Sequence, residues 1–261
     1  MCFVAVALGS HPEFSFVVAA NRDEYFDRPA RVIHTWDTTP KIYAGQDLTA
    51  GGTWLGISTS GEFAALTNCR SPDISSKPGL ISRGQLVRDY LLADPGLRAQ
   101  INQRAIVQNT DYGGFNLIAG TVDHLHILSN VSKDVHEVNR NIRVLSNRSP
   151  DGEWPKTQLG AVRLGEILET RPSEAVLRRT LFEFLANPDP LTDTQITSGQ
   201  TDPLEMLQRV IFVRGENYGT RASTVILIRP DGTGLISEKG FGPLGQPLSD
   251  TTIRFQLRNA S

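Results

Sequence analysis

Cys2-Phe-Val-Ala-Val-Ala-Leu8, Ser10-His-Pro-Glu13, Phe14-Ser-Phe-Val-Val-Ala-Ala20 and Asn21-Arg-Asp-Glu24 follow one another at the start of the chain, and their reading decides the fold. The two apolar, β-prone runs joined by a polar turn predict a hairpin with both strands buried. Antiparallel return of the second run brings the polar cluster 21–24 back beside Cys2. Further along, Gly51-Gly-Thr-Trp-Leu-Gly-Ile-Ser58 and Glu62-Phe-Ala-Ala-Leu-Thr-Asn68, turned at Ser60-Gly61, predict a second hairpin. Residues 115–120 and 124–128 predict a third, and 142–145 another strand. Strand character returns at 210–213, 223–228 and 234–238, the last pair turned at Asp231-Gly232. The stretch after Arg28-Pro29 reads as turn-rich.

Helical patterns lie between these strand blocks. Ser82 and Gln85 have capping-box spacing, and Leu86, Val87, Tyr90 and Leu91 then share one face, so a helix is expected at 82–92. Two more are expected at about 157–170 and 173–186, separated by Pro172; the second stacks Val176, Leu177, Leu181, Phe184 and Leu185. The Pro-, Asp- and Thr-rich segment 187–205 reads as a loop. Hairpins rather than βαβ units imply α+β: a four-layer αββα sandwich of two stacked antiparallel sheets, in a single domain spanning 1–261.

The 261 residues are 39% hydrophobic and 21% charged, a globular composition. Lys plus Arg number 26 against 28 Asp plus Glu, leaving no basic excess to neutralise a phosphate backbone, so nucleic acid is not an expected partner. No apolar run approaches the ~20 residues of a membrane span, and the N-terminus lacks the basic region of a signal peptide. Two cysteines, Cys2 and Cys69, fit a reducing, cytoplasmic setting better than a disulfide framework.

The chemistry concentrates at the N-terminus. Met1 precedes a small residue, the setting in which an initiator Met is trimmed, so a mature chain beginning at Cys2 is expected. A thiol then sits beside a free α-amine of reference pKa ~7.7–8.0, which can accept its proton near neutral pH. One residue supplies nucleophile and base, fixed on a strand. The bland alternative is a small buried hydrophobe. Arg22 is placed to depress the thiol pKa, with Asp23 as its orienting partner; the alternative is a solvated turn.

Asn21-Arg22-Asp23-Glu24 with Arg28-Pro29, Asp47-Leu-Thr-Ala-Gly-Gly-Thr-Trp-Leu-Gly56, Leu66-Thr-Asn-Cys-Arg70, Leu145-Ser-Asn147, Trp154-Pro-Lys156 and Tyr218-Gly-Thr-Arg-Ala-Ser-Thr-Val225 together resemble the signature blocks of the NRDE family, also called Transport and Golgi organisation 2. The blocks run in order over nearly the whole chain. The resemblance implies grouping with N-terminal-nucleophile hydrolases and, more distantly, similarity to choloylglycine hydrolases and penicillin acylases, which cleave amides with an N-terminal cysteine. It implies Cys2 as nucleophile, with Arg22-Asp23 adjacent where those hydrolases space an Arg-x-x-Asp pair, and Asn68 and Asn147 as active-site amides. An amide N–H aimed at an oxyanion is worth ~3 kcal/mol; an Asx-turn closing a strand is the alternative for each. Arg70 is a further candidate substrate contact.

Asn21, Trp54 and Arg221 complete the candidate substrate-binding set. Arg221 suits a carboxylate substrate or the thiolate, or else pairs with an acidic side chain; Trp54 suits a pocket wall or, preferably, the core beside a tight turn at Gly51-Gly52. The function these residues imply is a cofactor-free amidohydrolase or acyltransferase on non-peptide C–N bonds of small amide or acyl substrates. The alternative is a non-catalytic carrier, since the family is linked to secretory-pathway organisation, lipid metabolism and haem mobilisation; haem would take Cys2 or a histidine as axial ligand. His124 and His126 share a strand face without a further ligand at suitable spacing. Gly240-Phe-Gly-Pro-Leu-Gly245 contains a proline and lacks a following helix, so no nucleotide or metal cofactor is expected.

Overall fold

The computed structural model describes residues 2–69, 81–107, 111–138, 141–150, 154–188 and 210–258. The opening hairpin is β1 (Cys2–Leu8) against β2 (Phe16–Tyr25). β2 does not stop at the apolar run: Asn21-Arg22-Asp23-Glu24 continues it rather than turning, because β11 (Tyr218–Ile228) pairs with it over its whole length. Between lie β3 (Ala30–Trp36), β4 (Ile42–Asp47), β5 (Leu55–Ser58), β6 (Glu62–Asn68), β7 (Phe115–Thr121), β8 (His124–Ser129), β9 (Val135–Val138) and β10 (Ile142–Leu145); β12 (Thr233–Phe241) and β13 (Pro247–Gln256) close the chain. The sheets run β10-β1-β2-β11-β12-β13 and β3-β4-β5-β6-β7-β8-β9, all neighbours antiparallel.

Strand alternation then builds three apolar layers. Val4, Val6 and Leu8 of β1 and Phe16 and Val18 of β2 meet Leu55, Ile57, Phe63 and Ile118 of the second sheet in the central core. Phe3, Ala5, Val17 and Ala19, one residue out of phase, face α3 (Pro155–Glu169) and α4 (Glu174–Leu185). The outer face of the second sheet is covered by α1 (Arg83–Leu92) and α2 (Pro95–Val107). Helix, sheet, sheet, helix is the αββα sandwich expected of the hairpin pattern.

Departures from the expected elements have local causes. The turn-rich stretch after Pro29 holds β4, a short and mostly buried strand whose Gly45-Gln46-Asp47 reads as a turn, and β3, whose polar, partly exposed residues hide the strand period. α2 and β13 went unforeseen for the same reason: β13 is exposed at most positions. Residues 211–213 are buried but irregular, not a strand; the Val213 N–H goes to Thr220 Oγ1 (2.9 Å) and the Phe212 N–H to the Asn187 carbonyl (3.1 Å). α1 has Ser82 at its N-cap but no capping box, because Gln85 Nε2 donates instead to the Ala50 carbonyl (3.2 Å). On α4, Leu177, Leu181 and Leu185 are buried as expected, whereas Val176 faces solvent. Of the expected loop 187–205, all beyond residue 188 lies outside the described residues.

Candidate active site

Register places the site. Cys2 pairs directly with Arg22, and directly opposed residues project from the same sheet face. Because Val4 and Ala20 belong to the central core, Cys2 and Arg22 emerge where that core opens at the strand ends. The opening is a cleft of about 130 Å³. Cys2, Arg22 and Asp23 of the first sheet, Asn68 and Trp54 of the second, and Arg83 at the start of α1 line it.

Charge is densely paired here. The Arg22 guanidinium lies 4.3 Å from the Trp54 ring centre and reaches Asp47 Oδ2 (3.6 Å) and Glu24 Oε2 (3.8 Å). Arg28 Nε donates to the same Asp47 oxygen at 2.7 Å. Burial works against the Asp47 charge, but Arg28, the Ala50 N–H and Arg22 outweigh it and hold the carboxyl below its ordinary range. Arg83 Nη1 donates to the Gly114 carbonyl (3.0 Å); burial lowers its pKa, and attraction to Cys2 and Glu24 works the other way.

The thiol behaves differently from the sequence expectation. Burial pushes the Cys2 pKa up, assisted by the Asp23 charge, and this outweighs the Asp23 backbone N–H donated to the sulfur and the nearby Arg22. Arg22 therefore opposes the shift without reversing it, and the resting group is a thiol. Asp23 is itself raised by burial, against Lys156 and a hydrogen bond from Thr220 Oγ1 (2.7 Å).

The two asparagines take separate tasks. Asn68, at the end of β6, lines the cleft. Asn147 does not line it: its Nδ2 donates to the Asn68 carbonyl (2.7 Å), fixing that strand end. Ser146 Oγ donates to the Cys2 carbonyl (3.0 Å), and Asn116 Nδ2 to the Ser146 (3.2 Å) and Arg148 (2.7 Å) carbonyls. Cys2 and Asn68, from different sheets, are thus tied through one buried segment.

Asn21 faces away from the cleft, since its neighbour Arg22 faces into it. Its Nδ2 donates to the Leu185 (2.8 Å) and Ile211 (2.9 Å) carbonyls and its Oδ1 accepts from Ser223 Oγ (2.6 Å), so both amide hydrogens and the amide oxygen are engaged by the fold. Arg221 occupies a β-bulge in β11 between Thr220 and Ala222. The bulge re-aims it onto the carbonyls of Tyr25 (3.0 Å), Phe26 (3.2 Å) and Arg28 (2.5 Å), where it holds a turn and leaves the cleft to Arg22. Trp54 serves both readings, packed on the core and forming the cleft wall. Gly45 has no Cβ where the Trp54 ring lies, and Gly52 none where the Gly84 backbone passes. Arg70 lies outside the described residues.

Sequence reasoning assigned no role to Asp47, Arg83, Lys156 or Glu238. For two of them a signal existed: Arg83 and Lys156 are cations in the first turn of a helix, where the macrodipole disfavours them and some other partner has to compensate. Among the described residues, no three metal-ligating side chains converge.

Two stacked antiparallel sheets between helical layers, with a cysteine heading the first strand at their open edge, define an N-terminal-nucleophile-hydrolase-like fold. The family model Transport and Golgi organisation 2 matches residues 1–243, and the chain belongs to that family. It is 31% identical over 287 residues to a Transport and Golgi organization protein 2 homolog of Bos taurus, covering 99% of this chain and 100% of that one. Among solved structures it is similar to a Caenorhabditis elegans ortholog of N-acylethanolamine-hydrolyzing acid amidase, with TM-score 0.48, 12% identity and coverage of 86% and 92% of the two chains. A conjugated bile acid hydrolase from Clostridium perfringens gives TM-score 0.48 and 10% identity, covering 98% of this chain and 92% of that one. No helix among the described residues is long and apolar enough to cross a membrane.

Proposed function

We propose that this protein is a cofactor-free amidohydrolase or acyltransferase that acts on non-peptide C–N bonds through Cys2, once Met1 has been removed. The observation carrying the proposal is the position of Cys2: at the head of β1, opposite Arg22, its sulfur accepting from the Asp23 N–H in a cleft lined by Asn68. In this reading the α-amine of Cys2 takes the thiol proton as sulfur adds to the carbonyl carbon. The C–S bond forms while the carbonyl π bond opens to an oxyanion, which the Asn68 side-chain N–H receives. Collapse breaks the C–N bond, and the ammonium returns its proton to the leaving amine. Water or a second amine then resolves the thioester. A raised thiol pKa suits this sequence, since the proton leaves during attack rather than before it. Arg22, braced by Trp54 and Asp47, and Asp23 orient the thiol and amine.

The cleft favours this reading over a carrier. Its volume of about 130 Å³ is well below the ~300–1,000 Å³ of sites that enclose drug-sized ligands, so it fits the reacting end of a substrate rather than a whole haem or lipid. The proposal includes a reducing, cytoplasmic setting in which both buried thiols stay free.

Brief substoichiometric iodoacetamide treatment near neutral pH, followed by intact mass and peptide mapping, tests it. The expected result is a chain lacking Met1, alkylated at Cys2 well before Cys69; retained Met1 with two equally slow thiols overturns the mechanism. Asn68→Ala is expected to slow acylation by a panel of N-acyl nitroanilides about 100-fold, with an unaltered melting temperature. A loss under threefold would remove Asn68 from the oxyanion site.

A further inference from the structure

Lys156, in the first turn of α3, is one of the most completely buried side chains in the molecule, at 1% exposure. Its Nζ makes no hydrogen bond among the described residues. It lies 5.9 Å from the centre of the Phe3 ring, which neighbours Cys2 and faces the helical layer. An ammonium there is doubly disfavoured, by lost hydration and by the positive end of the helix. Such a charge survives only opposite a compensating negative group. The acidic groups acting on it are Asp23, on the same helix-facing side of β2, and the Cys2 thiol itself.

We propose that Lys156 is a positioning residue for the nucleophile: its ammonium sits behind the Cys2–Asp23 pair and supplies the positive potential that stabilises the negative charge the buried sulfur gains as its proton leaves. The inference rests on the reading of Cys2 as nucleophile. Two geometric observations carry it, an unpartnered and completely buried amine and its place behind the ring of Phe3, the neighbour of Cys2; the charges of Asp23 and Cys2 acting on it support it. The charged groups around Cys2 come from three elements, Arg22 and Asp23 from β2, Arg83 from α1 and Lys156 from α3, and once Met1 is removed the α-amine of Cys2 joins them. Arg22 is shared with Asp47 and Glu24, and Arg83 with Glu24. Among the described residues Asp23 is the carboxylate that acts on Lys156, so its charge is committed to the site. Burial lowers the lysine pKa by more than Asp23 and Cys2 raise it, and groups that act on one another in this way shift each other's titration.

The test is the pH profile of Cys2 alkylation by iodoacetamide in the wild-type protein and in Lys156→Met, which keeps the chain length and removes the charge. Cys69, buried just past the end of β6, serves as internal control. The variant is expected to move the Cys2 midpoint upward by about one unit, a roughly tenfold slower reaction at pH 7, with the Cys69 profile unchanged. A purely structural lysine would lower the melting temperature and leave the Cys2 midpoint in place, which overturns the proposal. Should Lys156→Met fail to fold, lysine NMR of the wild-type protein answers the same question. Blocking Cys2 is expected to lower the Lys156 titration midpoint by about half a unit or more, and an unmoved midpoint overturns the coupling. The outcomes also separate the two claims. Wild-type Cys2 no faster than Cys69 overturns the nucleophile and this inference with it; a fast Cys2 indifferent to Lys156→Met overturns only the latter.

Discussion

Glu238→Gln is expected to stabilise the protein by about 3 kcal/mol at pH 8 and by less than about 1 kcal/mol at pH 5. Glu238 points from β12 into the space between the sheets and is 2% exposed. Its Oε1 accepts the Ile33 N–H (3.0 Å) and its Oε2 the Thr224 hydroxyl (3.3 Å). Ile33 falls in the register break of β3 between Arg31 and His34, so the carboxyl replaces a missing ladder acceptor and joins one sheet to the other. Burial drives the pKa from 4.5 to about 7, against those two hydrogen bonds and Arg22.

The sign follows from proton counts. Between pH 4.5 and about 7 the folded chain holds a proton that the unfolded chain has released. Stability therefore falls as pH rises through that window, and the loss persists above it. Glutamine keeps an acceptor for Ile33, and its amide can donate to the Thr224 oxygen, while the slope disappears. Urea unfolding at several pH values measures the effect. Parallel pH curves for the two proteins would show that Glu238 does not titrate in this window.

Asn21→Ala is the second large expectation, a loss of about 3–5 kcal/mol. The substitution strands the Leu185 carbonyl at the end of α4, the Ile211 carbonyl of the irregular 211–213 segment and the Ser223 hydroxyl of β11. Ile211 and Ser223 are each 1% exposed, so water does not readily replace the lost amide. The urea midpoint should fall with little change in slope. A loss below 1 kcal/mol, with activity impaired, would return Asn21 to the substrate-binding role that its place in the motif implied.

That contrast shows which information is local. Cys2 and Arg22 meet because an apolar hairpin must pair in register, and the pairing is legible from two adjacent runs. The faces of α1 and α4 follow similarly from helical period. β3, β4 and β13 were not legible, because β3 and β13 are partly exposed edge strands whose polar residues do not mark a period, and β4 is short and ends in Gly-Gln-Asp.

By itself, then, the sequence determined the αββα class, the family and the position of the thiol, all of which rest on near-neighbour patterns and ordered motifs. The tertiary structure alone decided what each polar side chain does. Asn21 and Arg22 are adjacent in sequence, yet strand alternation sends one to the helical layer and the other to the cleft. Asn147 and Asn68 look equivalent as strand-end amides, but the 2.7 Å bond from one to the other's carbonyl makes the first a brace and leaves the second lining the site. Asp47, Lys156 and Glu238 gained their roles from partners on other elements. Desolvation and Coulomb energies depend on what a fold packs around a charge, and that environment is assembled from residues far apart in the chain.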